Sequence, residues 1–172
     1  MKQERKRLAA AAVALVVTAL CAPTLAAEGP SAVVDRYFSA YRAASVEKMV
    51  EHYAPEAVFE DVNQRHRVEG TEQLTAQLGG LVAMHHTMGL VERRRVARGD
   101  TVVVEYDYVG TLNGGVLAQS VGKESCPDLD YVLPVTTWFR IEDGKIAHQK
   151  DYIDWATFLE LREKLLAAGS PK

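Results

Sequence analysis

The sequence predicts a single α+β domain, with helices gathered early and antiparallel strands late. Three observations carry that expectation. Between residues 31 and 44, Val33, Val34, Tyr37, Phe38 and Tyr41 recur at the helical period and form one apolar stripe. From residue 88 to 154 the chain instead reads as long alternating runs broken by polar turns, Arg98-Gly99-Asp100 and Glu142-Asp143-Gly144. The third is size: 172 residues, 48% apolar and 25% charged, suffice for one sizeable core but not for two. Helices followed by strands, not alternating with them, argue against a parallel βαβ sheet.

A helix over 31–44 opens the domain. Ser45 is placed to cap a second short helix, expected to run through Tyr53 and to stop at Ala54-Pro55. Residues 57–62 read as a short strand, and another begins at 67–69. Gly70 then breaks the chain, and Thr71 is expected to cap a helix reaching about Ala83. Strands over 88–98 and 101–113 follow, then a loop containing Gly114-Gly115 and Cys126-Pro127. Strands over 131–141 and 145–154 form the last hairpin, and a helix over 155–168 closes the chain.

That hairpin admits a closer reading. A two-residue Asp-Gly loop would set Thr137 opposite Lys150 and mix charge into both faces. A three-residue loop with Gly144 left-handed pairs Ile141 with Lys145, and so Val135 with Asp151, Thr137 with Gln149 and Phe139 with Ala147. Arg140, His148 and Lys150 then share the other face with Trp138 and Thr136. Because a one-residue slip swaps the faces, segregation of charge favours the three-residue loop. Asp151 then points inward.

Asp151 is therefore the first candidate for chemistry: an apolar setting disfavours the carboxylate and raises its pKa, which suits an acid or base. A buried acceptor held by backbone or Tyr donors is the plainer alternative. Asp61 is the second, sharing a strand face with Phe59 while Val58, Glu60 and Val62 take the other; it either reaches a cavity or starts the polar turn Asn63-Gln64-Arg65. Tyr37, mid-stripe on the first helix, is the third, as a core ring whose hydroxyl needs a partner. On the strand over 102–109 the Tyr106 and Tyr108 face is expected inward and Glu105 and Asp107 outward. His85 and His86 read as a solvated loop pair, not as metal ligands.

Residues 1–27 stand apart. Lys2, Arg5, Lys6 and Arg7 precede an apolar run over 8–22, Pro23 breaks it, and Ala26 and Ala27 supply cleavage positions, the order of a secretory signal peptide. The run is about 15 residues where a spanning helix needs about 20, so a secreted or periplasmic domain over 28–172 is expected, with an N-terminal membrane anchor as the alternative. Leu20 before Cys21 argues against a lipoprotein. Removing those four basic residues and Glu4 takes 20 basic and 23 acidic residues to 16 and 22, a net charge of −6. Such a surface offers nothing for tracking phosphates, so nucleic acid is not an expected partner. Cys126 is left without an internal partner and reads as a loop thiol. No CxxC or HExxH spacing occurs, and no cofactor or metal is expected.

The segments VVDRYFSAYRAASVEKMVEHYAPEAVFEDV, VEGTEQL and FRIEDGKIAHQKDYIDWATFLEL resemble the nuclear transport factor 2-like superfamily, over essentially the whole exported part. The resemblance implies a cone: a curved antiparallel sheet wrapping a pocket that N-terminal helices close. Ketosteroid isomerases of this fold have a Tyr where Tyr37 stands, a proton-shuttling Asp where Asp61 stands, and an oxyanion-binding Asp where this chain has Thr137. SnoaL-like polyketide cyclases and limonene epoxide hydrolases have a catalytic Asp where Asp151 stands; the hydrolases add an Arg between carboxylates where this chain reads Glu105-Tyr106-Asp107. The implied catalytic set is Asp61, Asp151 and Tyr37. Phe59, Tyr106, Val135, Thr137, Phe139, Gln149 and Ile153 are expected to line the ligand pocket, with Met84 and His86 at the end of the third helix. The implied function is an isomerase, dehydratase or aldol-type cyclase acting on a hydrophobic carbonyl compound. An epoxide hydrolase and a non-catalytic binding module are its alternatives. A homodimer through the outer sheet face, with Trp138 and Tyr152 supplying apolar area, is implied as well.

Overall fold

Five apolar side chains on one face of a helix need an apolar surface to lie against, and the alternating strands supply it. A computed structural model describes residues 29–168 and 170–171. The expected signal peptide, with Cys21, lies outside the described residues. Helix α1 (Pro30–Arg42) buries Val33, Val34, Tyr37, Phe38 and Tyr41. Each such side chain contributes roughly 1.5–3 kcal/mol on burial. Phe38 sits edge-on to Tyr106 at 5.2 Å and to Phe139 at 5.8 Å, so the helix is fixed by ring packing as well as by area.

The surface under α1 is a curved six-stranded sheet in the order β2-β1-β7-β6-β4-β3. Its strands are β1 (Tyr53–Asp61), β2 (His66–Glu69), β3 (His85–Arg98), β4 (Thr101–Leu112), β6 (Leu129–Glu142) and β7 (Lys145–Ile153). Neighbours run antiparallel except β1 and β7, which pair in parallel. Helix α3 (Gly70–Ala83) packs against β1, with Leu74 and Leu78 buried, and α2 (Val46–Val50) packs against α3 and α1. Helix α4 (Gly114–Ser120) follows β4, β5 (Lys123–Ser125) pairs with β8 (Ser170–Pro171), and α5 is Trp155–Ala168.

Several expectations change. The second helix ends at Val50, because Tyr53 already pairs with Ile146 of β7; Ala54-Pro55 lies in a bulged stretch of β1, where proline's missing N–H costs no ladder bond. Ser45 does cap α2, accepting from Lys48 N at 3.4 Å. Thr71 is not a cap: its hydroxyl turns back to the Pro55 carbonyl at 3.4 Å. The expected loop after β4 contains α4, capped by Asn113, whose side chain accepts from Val116 N at 3.2 Å.

The last hairpin corrects the register. Asp143 and Gly144, both at positive φ (49° and 73°), make the two-residue turn, with Glu142 opposite Lys145. Ala147 is then an extra residue on β7, and this bulge restores the parity that the turn would have lost. Beyond the bulge the net displacement from the expected register is two residues, so every side chain from His148 onward keeps its expected face. On the turn side of the bulge Ile146, not Lys145, is buried opposite Ile141. Asp151 points inward, but opposite Thr137 instead of Val135.

A second bulge, at Arg93 of β3, has a similar consequence. Tyr106 faces inward and Glu105 outward as expected, yet Asp107 is buried on the outer face, because Arg93 grips its Oδ2 from Nε at 2.8 Å and Nη2 at 2.6 Å. Gly110 lets β4 lie close against β3: a Cβ there would stand 2.2 Å from the Thr87 carbonyl oxygen.

Candidate active site

Alternation along each strand sends every second side chain to the concave face, and strand register lines those side chains into rows across the sheet. One row runs Asp61 (β1), Asp151 (β7), Thr137 (β6), Val104 (β4) and Arg95 (β3). The row beside it runs Phe59, Gln149, Phe139 and Val102. A third carries Ile153, Val135 and Tyr106. Asp61, the last residue of β1, and Asp151 of β7 are thus direct neighbours on parallel strands of the face against which α1 packs.

Both carboxyls are buried, Asp151 at 2% exposure and Asp61 at 4%. Asp151 Oδ1 accepts from Thr137 Oγ1 at 2.7 Å and from Gln149 Nε2 at 3.0 Å; Oδ2 receives Gln149 Nε2 at 3.2 Å. Burial pushes the pKa of Asp151 from 3.8 up to about 7, and the neighbouring Asp61 adds to the rise; the Thr137 and Gln149 donors oppose it. Asp61 has its own holder: Oδ1 accepts Gln64 N at 3.0 Å and Oδ2 accepts Gln64 Nε2 at 2.8 Å.

Tyr37 is buried, but it touches neither carboxylate through a hydrogen bond; its hydroxyl engages Tyr53 and Gln149, and the second of these leads to Asp151. Tyr53 donates to Gln149 Oε1, which turns the amide nitrogen toward Asp151. Beyond Thr137 the polar chain continues to Tyr106 Oη at 2.8 Å and from there to Tyr108 Oη at 3.0 Å. Burial pushes the tyrosines of this cluster well above their usual pKa of 10, so they serve as neutral donors.

Of the expected pocket residues, Phe59, Tyr106, Val135, Thr137, Phe139, Gln149 and Ile153 all surround the two carboxyls in these rows. Met84 and His86 do not join them. Met84 lines a separate groove of about 670 Å³ between α3, Val68 of β2 and Val116 of α4. His86 is exposed and meets Asp128 at 3.2 Å. Sequence reasoning missed Tyr53, Gln64 and Tyr108 as partners of the site. Tyr53 has the parity of Ala57, Phe59 and Asp61, a signal that Pro55 hid. Among the described residues no group of three or more His, Cys, Asp or Glu is placed to hold a metal ion.

Comparison with known proteins agrees with this geometry at the level of fold. The family model of SnoaL-like domains matches residues 34–149. No protein of curated function matches the sequence. Among solved structures, a protein described as a SnoaL-like polyketide cyclase from Shewanella denitrificans superposes with a TM-score of 0.69 at 17% identity, covering 78% of this chain and 97% of its own. A protein of ketosteroid isomerase-like fold from Catenulispora acidiphila, solved with trimethylamine, gives 0.64 at 18% identity, covering 79% and 95%. An epoxide hydrolase of the limonene type from M. tuberculosis gives 0.60 at 18% identity, covering 81% and 92%.

Proposed function

The chain belongs to the family of SnoaL-like domains, and from that premise we propose an exported small-molecule enzyme that works by cofactor-free acid–base chemistry. Its reaction is isomerisation, dehydration or aldol-type ring closure, and its substrate a hydrophobic carbonyl compound. Asp151 carries this proposal: a carboxyl buried among aromatic rings, with a pKa near 7, is divided between acid and base at neutral pH. Such a group can take a proton from carbon beside a carbonyl and return it elsewhere.

The roles follow from the hydrogen bonds. Asp151 is the proton carrier and Asp61 its acidic neighbour, the reverse of the isomerase pattern, because it is Asp151 whose carboxyl burial lifts to about 7. Tyr37 acts through Gln149, orienting it. The groove beside α3 is the proposed approach for substrate, since Val68 forms its wall and pairs with Phe59, two residues from Asp61.

A panel of ketones and epoxides, followed for turnover beside thermal-shift measurements on the same compounds, tests the proposal. Turnover of a ketone is the expected result. Turnover of epoxides alone would make the protein a hydrolase, and stabilisation without turnover would make it a binding module. No helix among the described residues is long and apolar enough to cross a membrane. Export and dimerisation through the outer face, where Trp138 and Tyr152 are 51% and 41% exposed, belong to the same proposal. Protein from the extracytoplasmic fraction should begin near Ala27 or Glu28 and sediment as a dimer; an intact Met1 or a monomer removes the corresponding statement.

A further inference from the structure

Helix α3 carries Gly79 and Gly80 inside its span, although glycine weakens a helix interior. Neither residue is at positive φ, and a Cβ added to either would meet no atom within 4 Å. A special backbone conformation and a close packing contact, the two usual reasons for a glycine, are therefore both missing. The two residues differ in where they stand. Gly79 is half-buried and lies outside the lining of the groove beside α3, whereas Gly80 is exposed and forms part of that lining. A side chain at Gly80 would meet no resistance from the protein and would take up space in the groove.

The groove has a polar end and an apolar end. At the first, Gln77 holds His66, whose Nε2 donates to Gln77 Oε1 at 3.1 Å, and His66 pairs across the sheet with Asp61. At the second stand Leu81, Met84 and Val116, with Met84 39% exposed. From Gln77 to Met84 the helix rises about 10 Å, about the length of an extended nine-carbon chain. The volume of about 670 Å³ is ample for such a body and lies in the range of small-molecule sites. We propose that this groove holds an elongated apolar tail of the substrate, with its carbonyl end turned toward His66 and Asp61. Gly80 is then a specificity-determining residue, because its missing side chain leaves the width that the tail occupies. This rests on the reading of the groove as the way to the Asp61 and Asp151 site.

The test uses the intact protein and two methyl ketones, 2-nonanone and 2-butanone, with binding read from amide NMR shifts. 2-Nonanone should move the amides of Gln77, Gly80, Met84 and Val116 in a saturable way. 2-Butanone, which lacks the tail, should bind about tenfold more weakly or worse. Gly80→Leu fills the groove and should weaken 2-nonanone about tenfold or more, while melting shows the variant folded. Gly80→Ala and Gly79→Ala strengthen the helix alike, should raise Tm by a few degrees, and should leave 2-nonanone binding within about twofold. Unchanged affinity in Gly80→Leu, or shifts confined to residues away from the groove, overturns the proposal. So does an equal loss in the two alanine variants, because helix stiffness and not space would then be the cause. Groove shifts that depend on protein concentration without ketone would mean that a second copy fills it, and overturn the proposal as well. The acid–base reading fails separately: tail binding beside an Asp151 midpoint near 4 keeps the groove as a ligand site and removes the reaction.

Discussion

Asp151→Asn should lower turnover by roughly a hundredfold or more while the protein stays folded and still binds its ligand. An amide keeps the shape of the carboxyl and can accept from Thr137 and Gln149 as Oδ1 does, at 2.7 and 3.0 Å. What it cannot do is exchange a proton at neutral pH. The loss therefore falls on kcat, with thermal-shift affinity for the same compound little changed. Asp61→Asn should cost less, because Asp61 acts by raising the pKa of Asp151 and not by carrying the proton. It should displace the pH–rate profile to lower pH. Equal losses in both variants, with no displacement, would return the shuttle role to Asp61.

Stability should fall as pH rises through neutrality, and Asp151 should account for the fall. Its folded pKa of about 7 lies above the ordinary 3.8, so between those values the folded protein holds a proton that the unfolded chain has lost. Fewer protons bound when unfolded means a negative slope of stability against pH. Below pH 4 both states are protonated and the contribution of Asp151 is flat; above the folded pKa the full loss has accrued. The difference between the two pKa values corresponds to about 4 kcal/mol. His52 and His85, whose pKa values burial lowers, pull the other way in the acid range, so the informative quantity is a difference between proteins. Denaturant melts of wild type and Asp151→Asn at pH 4, 6 and 8 should diverge steadily, with the variant gaining relative stability toward pH 8. Parallel curves would mean that Asp151 titrates normally in the folded protein.

How far the sequence disclosed this site depends on which forces fix each part. Strand parity was legible, because hydrophobic alternation alone sends Phe59 and Asp61, or Asp151 and Ile153, to one side. Exact pairing was not. The Asp143-Gly144 turn and the Ala147 bulge each shift the register by one residue, and charge segregation is blind to a displacement of two. That displacement sets Thr137 beside Asp151. The bulge at Arg93 was equally invisible, and with it the burial of Asp107 on the outer face. Tyr53 was hidden by Pro55, which ends helices in water but is tolerated in β1 at a bulge. Helix α4 opens with two glycines of low helix propensity, and its cap at Asn113 was the one local signal for it.

All of the proposed chemistry depends on one carboxyl keeping its proton near neutral pH beside another. A carbon-13 NMR titration of the side-chain carboxyls reads this without any substrate, and Asp151→Asn identifies the resonance that belongs to Asp151. The expected result is a midpoint near 7 for Asp151, moved downward in Asp61→Asn. If Asp61 and Asp151 instead titrate independently and both near 4, the shared acid–base site does not exist and the proposed function falls with it.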